Sequence, residues 1–284
     1  MKKKRTTEGI ERLRLSRFDG KQFRASGVDV VREELLEVVA DGRTVVTIAC
    51  AGIHLRELAV GFLKQEGLIE EAADIVKIAF RPGRVDIRTR GGKGRALPAA
   101  PAKTIASSGA RGSRTLKPPG RRKTAAPVPV MLDARAVLDL MEALLAATEI
   151  HERTRGTHCS AVAGPQGIFA AREDIGRHNT IDMLCGWALL EGVDLADKIL
   201  LTTGRVSSEI VSKARRMGIP CILSHSAATS RAVALAETLG IAIVGYVRGG
   251  TFIVYAGARH MKPAGEPEAK GERRKAKGQK GKTE

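Results

Sequence analysis

The chain has 284 residues, with 48 Lys and Arg against 31 Asp and Glu, and therefore a formal net charge of +17. Hydrophobic residues make up 43% of it but aromatic residues only 3%, so the core must be aliphatic, which suits a Val/Ile-rich sheet covered by helices. No apolar run is long enough to span a bilayer, and the basic start lacks the apolar stretch of a secretory signal. We therefore expect a cytoplasmic protein that does not insert into membranes.

Residues 1–27 are predicted to form a basic N-terminal arm, since the first five residues alone carry four cations. Residues 28–90 then show the patterns of a small α+β unit. Asp41-Gly42 is a hairpin signal, and apolar residues spaced for one helical face precede Gly67, a residue type that ends helices. The predicted elements are a strand within 28–39, a strand at 44–49, a helix at 54–65, and a hairpin of strands at 75–80 and 84–90.

Residues 91–127 interrupt this pattern. They contain nine Lys or Arg, five Pro and no acidic residue, which predicts a flexible basic loop or linker. Residues 259–284 are rich in Lys, Gly and Glu and are predicted to form a disordered basic tail. Basic segments of this kind bind nucleic acid or acidic protein, or only keep a protein soluble. Because no aromatic residue lies between the cations, stacking on bases is not indicated, and we do not expect nucleic acid as a partner.

Residues 128–258 alternate between helices and strands, which predicts an α/β domain with a mixed or parallel sheet covered by helices. Asp133 is a typical N-cap for the first helix and Ser207 for a later one. The predicted elements are a helix from 133 to 148, a hairpin of strands at 157–163 and 168–172, a helix ending at 191, a strand at 198–203, a helix after 207, a strand at 219–224, a helix at 229–239, and strands at 241–247 and 251–255.

Polar residues concentrate where the second strand of that hairpin is followed by a helix. The run from Glu173 to Asn179 holds two acids, a cation, an imidazole and an amide, and His158 lies on the paired strand. Junctions of this kind carry the chemistry of α/β folds, so we predict a functional site here. His158 and His178 would act as acid–base groups or as hydrogen-bond donors to a ligand, or else be core histidines. Asp174 would otherwise only cap the helix.

Three later strands end in similar sequences. Residues 202–205, 224–227 and 246–251 bring hydroxyls, glycines and arginines to strand ends that precede helices or turns. Glycine amides and helix N-termini bind anions, and the fork of an arginine suits phosphate. Ordinary turn chemistry would also explain Gly and Ser at such places. Three consecutive strand ends nevertheless favour a crevice for a phosphate-bearing ligand.

Three long blocks of the sequence also carry a family resemblance. HCSAV followed by REDIGRHNTIDMLCG, LRELAVGFLKQEGLI at 55–69, and residues 202–255 resemble, in this order, the core signature, the N-terminal helix and the C-terminal third of the FdhD family, the formate dehydrogenase accessory sulfurtransferases. The resemblance implies a cytidine-deaminase-like α/β domain beside the smaller N-terminal α+β unit. Zinc is not expected, because the HxE and PCxxC motifs of zinc deaminases are absent.

The resemblance further implies a ligand and partners. Members of the FdhD family bind the molybdenum cofactor in its bis-guanine dinucleotide form, and residues 246–251 line up with the segment assigned to that ligand. The implied partners are a formate dehydrogenase-type molybdoenzyme and a cysteine desulfurase, with a homodimer left open. The candidate cofactor-binding residues are His158, Arg177, His178, Asn179, Arg205, Tyr246, Val247, Arg248, Gly249, Gly250 and Thr251.

The sequence departs from the family pattern in one loop. The family's sulfur-carrying loop holds a CxxC, whereas the corresponding run here has Ser108 and Arg111 at the two cysteine positions. Neither side chain can hold a persulfide, because that chemistry needs a thiolate. The sequence thus predicts an FdhD-like accessory protein that binds the molybdenum cofactor without a persulfide relay, and no catalytic residue is assigned. Two alternatives stay open: an active sulfurtransferase that uses Cys159 or Cys50, and a basic nucleic-acid-binding protein.

Overall fold

The computed structural model describes residues 8–92, 103–105, 130–164 and 166–262. Within these ranges the strands form three β-sheets, and helices pack on the two larger ones. The mixed α/β class predicted from the sequence is confirmed. Among the helices of the described ranges, none is both long and apolar enough to cross a membrane.

The first sheet is a hairpin of β1 (Ile10–Phe18) and β2 (Phe23–Val31), which pair in antiparallel fashion along their whole length. The structure thus differs from the prediction of a basic arm over 1–27, which includes no strand. The two-residue apolar repeat of a strand is present in β1, but most of the residues between are charged. Leu13 and Leu15 alternate with polar or charged neighbours, and this alternation places both leucines on one face of the hairpin.

The second sheet contains most of the predicted N-terminal unit. Its elements and the helix that covers it are β3 (Glu34–Ala40), β4 (Arg43–Cys50), α1 (Leu55–Gln65), β5 (Ile75–Arg81), β6 (Arg84–Thr89) and β7 (Lys103–Ile105). The strand order is β5-β6-β3-β4-β7. Both predicted hairpins and the predicted helix are confirmed. β7 lies inside the predicted loop 91–127 and pairs in parallel with β4; most of that loop lies outside the described residues.

The third sheet follows the predicted alternation of strands and helices. Its elements are α2 (Ala134–Ala146), α3 (Glu149–Thr154), β8 (His158–Gly164), β9 (Gly167–Asp174), α4 (Arg177–Glu191), β10 (Ile199–Thr202), α5 (Ser208–Met217), β11 (Cys221–Ser224), α6 (Ser230–Leu239), β12 (Ala242–Arg248) and β13 (Thr251–Ala256). The strand order is β13-β12-β11-β10-β8-β9, with β10, β11 and β12 parallel to one another. The sequence does not predict α3, because six residues are too few to show a helical period.

Helices cover both faces of the third sheet. α2 packs Val137 and Met141 on one face, and α4, α5 and α6 pack on the other. The predicted cap of α2 is confirmed, since the Asp133 carboxylate accepts a hydrogen bond from the Ala136 amide at 2.7 Å. Ser207 occupies the N-cap position of α5, but the prediction that its side chain caps the helix is wrong, because its hydroxyl makes no capping bond.

α4 is buried around most of its circumference and packs between the second and third sheets. α1 crosses α4 where Gly61 faces Gly186. A Cβ atom on Gly61 would lie 1.7 Å from the carbonyl oxygen of Asp182, and one on Gly186 would lie 2.0 Å from the carbonyl oxygen of Glu57. Only glycine fits at both positions, so this crossing brings two helix backbones into direct contact.

The chain leaves the third sheet through a short 3-10 helix, Ala258–His260. Met261 then forms a parallel bridge with Leu132, just before α2. The predicted tail therefore begins with residues that pack on the fold, and residues 263–284 lie outside the described part. The domain limits proposed from the sequence stay a prediction.

Candidate anion-binding site at the strand ends

The carboxyl ends of β10, β11 and β12 share one edge of the third sheet with the start of β8 and the end of β9. They do so because β8 runs antiparallel to β10, with Ser160 opposite Thr202, and β9 returns with Asp174 opposite His158. The residues that follow these strand ends lie along the same edge, where α/β proteins bind ligands. The polar and aromatic side chains placed at this strand-end edge are His158, Arg177, Arg205, His225, Tyr246 and Arg248.

Arg177 is the first residue of α4 and packs over the loop that follows β10. A Cβ atom on Gly204 would lie 3.0 Å from the Arg177 Cβ and 3.2 Å from its Cδ, so a larger residue at position 204 would push the arginine away. The Arg177 Nε–H is buried and has no hydrogen-bond partner within the described residues. Buried donors are normally paired, so this guanidinium retains a donor for a ligand.

His158 is half-buried at the start of β8. Burial, followed by the positive charges of Arg177, His151 and Arg205, lowers the pKa of its imidazole below the ordinary value of 6.5. The imidazole is therefore mainly neutral near pH 7. An anion bound among these cations would raise this pKa again, because it would favour the protonated imidazole.

The end of β12 has an irregular backbone. Its pairing with β13 shifts between Gly245 and Arg248, and Tyr246 adopts a left-handed conformation with φ of 57°. Such conformations are rare for residues other than glycine and concentrate at functional sites. The guanidinium carbon of Arg248 lies 3.5 Å from the centroid of the Tyr246 ring. This strand end thus presents an aromatic ring and a guanidinium together at the surface.

The turn after β12 is open. Gly249 and Gly250 both have positive φ, and a Cβ atom on either would meet nothing within 4 Å, so their backbone amides can be approached closely. Thr251 donates its hydroxyl to the carbonyl of Arg248 at 3.1 Å. Val247 is buried, so only its backbone is available at this predicted site.

His178 and Asn179 are predicted ligand contacts, but the structure engages both side chains elsewhere. Asn179 is buried, and its amide nitrogen donates to the Ala49 carbonyl at 2.8 Å and to the Asp174 carboxylate at 2.7 Å. His178 is buried as well, with its Nε2 3.4 Å from the Glu209 carboxylate. Both residues tie α4 to neighbouring elements, and their role in ligand binding stays a prediction.

Asp174 does not cap α4, since the N-cap is Gly176. Its carboxylate instead accepts hydrogen bonds from the amides of Ala51 at 2.8 Å and Gly176 at 2.9 Å. Burial raises the pKa of Asp174 to about 6, although these hydrogen bonds favour the charged form. Asp174 therefore links the end of β9 to the residue that follows β4.

Two residues beside the strand-end edge make contacts that the sequence does not predict. Glu173 is buried, and its carboxylate accepts hydrogen bonds from the amides of Ile150 and His151 at 2.8 and 2.7 Å and from the Thr157 hydroxyl at 3.0 Å. It thereby pairs amides at the start of α3. His151 Nδ1 lies 2.6 Å from the Thr157 carbonyl oxygen, and its charge contributes to the lowered pKa of His158. Because α3 itself is not predicted, no sequence pattern points to either contact.

All four cysteines are free and buried. In each, burial is the main cause that raises the pKa of the thiol to about 12. Such a thiol is protonated near neutral pH and shielded from a sulfur donor. The predicted core positions of Cys185 and Cys221 are confirmed, and Cys50 and Cys159, the alternative sulfur carriers, are buried as deeply. The loop positions that correspond to the family's CxxC lie outside the described residues.

Two surface hollows lie by the N-terminal end of α1, and none of the six side chains of the strand-end edge lines either of them. One has a volume of about 170 Å³ and is lined by residues that include His54, Glu149 and Glu173. The other has a volume of about 360 Å³ and is lined by residues that include His54, Phe80 and Leu190. In the part of the chain that the structure describes, no group of three His, Cys, Asp or Glu side chains is placed to hold a metal ion. The strand-end edge, where the cations converge, is therefore the candidate site.

The chain is an α/β protein, and the arginines at the carboxyl ends of its parallel strands make that edge of the sheet a candidate anion-binding crevice. Comparison with known families takes the assignment further. Residues 31–262 match the FdhD/NarQ family. Because the match extends over most of the sequence, the chain belongs to this family.

Individual relatives agree with this assignment. The chain is 35% identical over 253 residues to the Sulfur carrier protein FdhD of Geobacillus kaustophilus (strain HTA426), which covers 86% of this chain and 94% of that protein. It is 32% identical over 254 residues to the Sulfur carrier protein FdhD of Bacillus pumilus (strain SAFR-032), covering 82% and 90%. A crystal structure from Desulfotalea psychrophila, of a protein proposed to be a formate dehydrogenase accessory protein, shares the fold, with a TM-score of 0.71 and 21% identity over 89% of this chain and 99% of that one.

Proposed function

We propose that this chain assists the maturation of a formate dehydrogenase-type molybdoenzyme and binds the molybdenum cofactor, in its bis-guanine dinucleotide form, as cargo at the strand-end edge. Its relatives are named sulfur carrier proteins, and membership of the same family supports a role in the same assembly process. The observation that carries the proposal is the convergence of Arg177, Arg205 and Arg248 on one edge of the third sheet.

The residues at this edge fit a ligand with several phosphates. Each arginine offers a planar fork of donors that matches phosphate oxygens, and the Arg177 Nε–H has no partner within the described residues. α4 and α5 both begin at this edge, so their N-terminal amides add positive potential. The exposed Tyr246 ring and the Arg248 guanidinium that lies over it are flat groups of the kind on which a guanine base stacks.

We infer further that the chain does not relay sulfur as a persulfide through the loop 91–127, because that loop contains no cysteine. A persulfide needs an exposed thiol with a low pKa. Burial raises the thiol pKa of Cys50 and of Cys159 to about 12, so a cysteine desulfurase finds no suitable acceptor among the described residues. The role that remains is to hold the cofactor and present it to the client enzyme.

Isothermal titration calorimetry with GDP tests the cargo site, because GDP carries the guanine and the diphosphate of the proposed cargo. We expect Arg248→Ala to weaken binding by about tenfold or more, since a hydrogen bond to a charged group contributes about 1.5–3 kcal/mol. Arg216→Ala is the matched control, because Arg216 lies near the C-terminal end of α5, at the opposite edge of the sheet. If Arg248→Ala binds GDP as tightly as the native chain, the site does not lie at the strand ends, and if the native chain does not bind GDP, the proposed function fails.

A sulfur-transfer assay tests the absence of a persulfide relay. The chain is incubated with a cysteine desulfurase and cysteine, and intact-mass spectrometry before and after cyanide treatment reports bound sulfane sulfur. We expect none on the native chain. The double variant Ser108→Cys with Arg111→Cys should gain it, because the pair restores the family's CxxC. Robust labelling of the native chain at Cys50 or Cys159 would overturn the inference and make the chain an active sulfurtransferase.

A further inference from the structure

A row of four buried hydroxyl groups runs beneath the strand-end edge. We call it the hydroxyl row; its members are Ser160 on β8, Thr180 on α4, Thr202 on β10 and Ser224 on β11. Each of these residues is between 0% and 2% exposed, so none can touch a ligand at the surface. Whatever the hydroxyl row contributes to the site must pass through the backbone groups that it binds.

The first part of the hydroxyl row connects α4 to β10. Thr180 Oγ1 lies 2.8 Å from the Arg177 carbonyl oxygen and 2.8 Å from Ser160 Oγ, which lies 3.0 Å from Thr202 Oγ1. Each hydroxyl has one proton. The Ser160 hydroxyl donates to Thr202 and the Thr180 hydroxyl donates to the Arg177 carbonyl, so the contact between Ser160 and Thr180 shares one of these two protons. The Gly204 amide also donates to Thr202, at 3.1 Å, so the Thr202 hydroxyl joins β8 to the loop after β10.

The second part continues from the same loop to β11 and β12. The Ser224 hydroxyl donates to the Gly204 carbonyl at 2.8 Å, and the Ser226 amide donates to the Ser224 hydroxyl at 3.0 Å. The Tyr246 amide donates in turn to the Ser226 carbonyl at 2.9 Å. The backbone at Arg177, at the loop after β10, and at the ends of β11 and β12 is therefore joined by one continuous series of hydrogen bonds.

We propose that the hydroxyl row positions the arginines of the strand-end edge, so that they form one preorganised anion site. Buried hydrogen bonds in series polarise one another, so the loss of one link weakens the rest. A site that is held in place before binding loses less freedom when the ligand arrives. The members of the hydroxyl row are positioning residues, and this role rests on the proposed function because the ligand is the same guanine diphosphate group.

Hydrogen exchange in the absence of ligand tests the series itself. Thr180→Val keeps the shape of the side chain and removes the hydroxyl, whereas Thr180→Ser keeps the hydroxyl. We expect Thr180→Val to speed exchange of the Gly204 and Ser226 amides about tenfold, as one lost buried hydrogen bond implies, although the Thr180 hydroxyl bonds to Ser160 and Arg177 and not to either of these residues. Thr180→Ser should restore slow exchange. Thr238→Val is the control, because the Thr238 hydroxyl bonds to a carbonyl in α6, outside the hydroxyl row.

The proposal is overturned if a folded Thr180→Val variant exchanges the Gly204 and Ser226 amides at the native rates. If Thr180→Val does not fold, the same measurement on Ser160→Ala decides the question. GDP calorimetry on the same variants then measures the effect on the site. We expect about tenfold weaker binding in Thr180→Val and recovery in Thr180→Ser. If exchange responds but affinity does not, the positioning role is overturned. If the native chain binds no GDP, the proposed function fails, while the exchange result still decides whether the hydroxyl row acts as one unit.

Discussion

The variant Gly61→Ala tests how α1 and α4 are joined. The added methyl carbon would lie 1.7 Å from the carbonyl oxygen of Asp182 and 2.7 Å from the amide nitrogen of Gly186. Both are backbone atoms, so no side-chain rotation relieves the overlap, and the two helices must move apart. Moving them apart also loosens the apolar contacts that α4 makes with the core of the second sheet.

Two effects of opposite sign compete in this variant. In a helix interior, Ala is favoured over Gly by about 0.5–1 kcal/mol. Forcing an extra methyl group into a packed contact costs about 1–3 kcal/mol, and more when backbone must shift. We therefore expect the free energy of unfolding to fall by about 2 kcal/mol. For a chain of this size, the melting temperature should fall by roughly 4–8 °C.

Thermal unfolding followed by circular dichroism measures this change. Ala143→Gly, at an exposed position of α2, is the control for helix propensity and should cost about 1 kcal/mol. A melting temperature of Gly61→Ala that is unchanged or higher would refute the reasoning. It would mean that the helix backbones are not in contact, so that only the helix preference of alanine acts.

Two further predictions concern charged groups. NMR titration should give His158 a pKa below 6.5, because burial and then the charge of Arg177 disfavour its protonated form. Arg177→Gln or bound GDP should raise that pKa. A pKa of 6.5 or more in the native chain would contradict the assignment. Since this pKa is lower in the folded chain than in the unfolded one, its contribution to stability is complete above pH 6.5 and is lost as the pH falls below 6.5. Lys213→Met removes the ammonium that pairs with the buried Asp182 carboxylate and should cost about 3–5 kcal/mol, whereas adding Asp182→Leu should recover most of that loss. Chemical denaturation measures the free energy of unfolding of both variants. If the single and the double variant lose the same amount of this free energy, an uncompensated buried charge is excluded as the cause.

The alternating half of the fold could be predicted because its signals are local. β10 and β11 are short apolar runs that end in hydroxyl residues, and α6 is preceded by Thr229, whose side chain caps it. The strand-end edge could be predicted too, because the carboxyl ends of parallel strands always lie on the same side of a sheet. Arg177 is expected at the same edge, because α4 begins directly after the end of β9.

The contacts that the sequence does not reveal are long-range. Asn179 has the kind of polar side chain that binds ligands, but its amide nitrogen donates a hydrogen bond to the carbonyl of Ala49, 130 residues away in the chain. Asp174 is placed like a helix cap, but it binds the amide of Ala51, at a separation of 123 residues. Periodicity and capping rules describe neighbours in sequence, so they cannot distinguish a polar residue that joins two sheets from one that faces a ligand.

The position of α4 between two cores has a consequence for cleavage of the chain. Met183 is part of the core of the second sheet, while Ile181 and Leu184 belong to that of the third. A fragment that ends at residue 92 would uncover the apolar face of α1, and one that starts at residue 130 would uncover Met183. A protease cut between these two points should therefore leave the pieces associated, and the two pieces produced together should reassemble around α4.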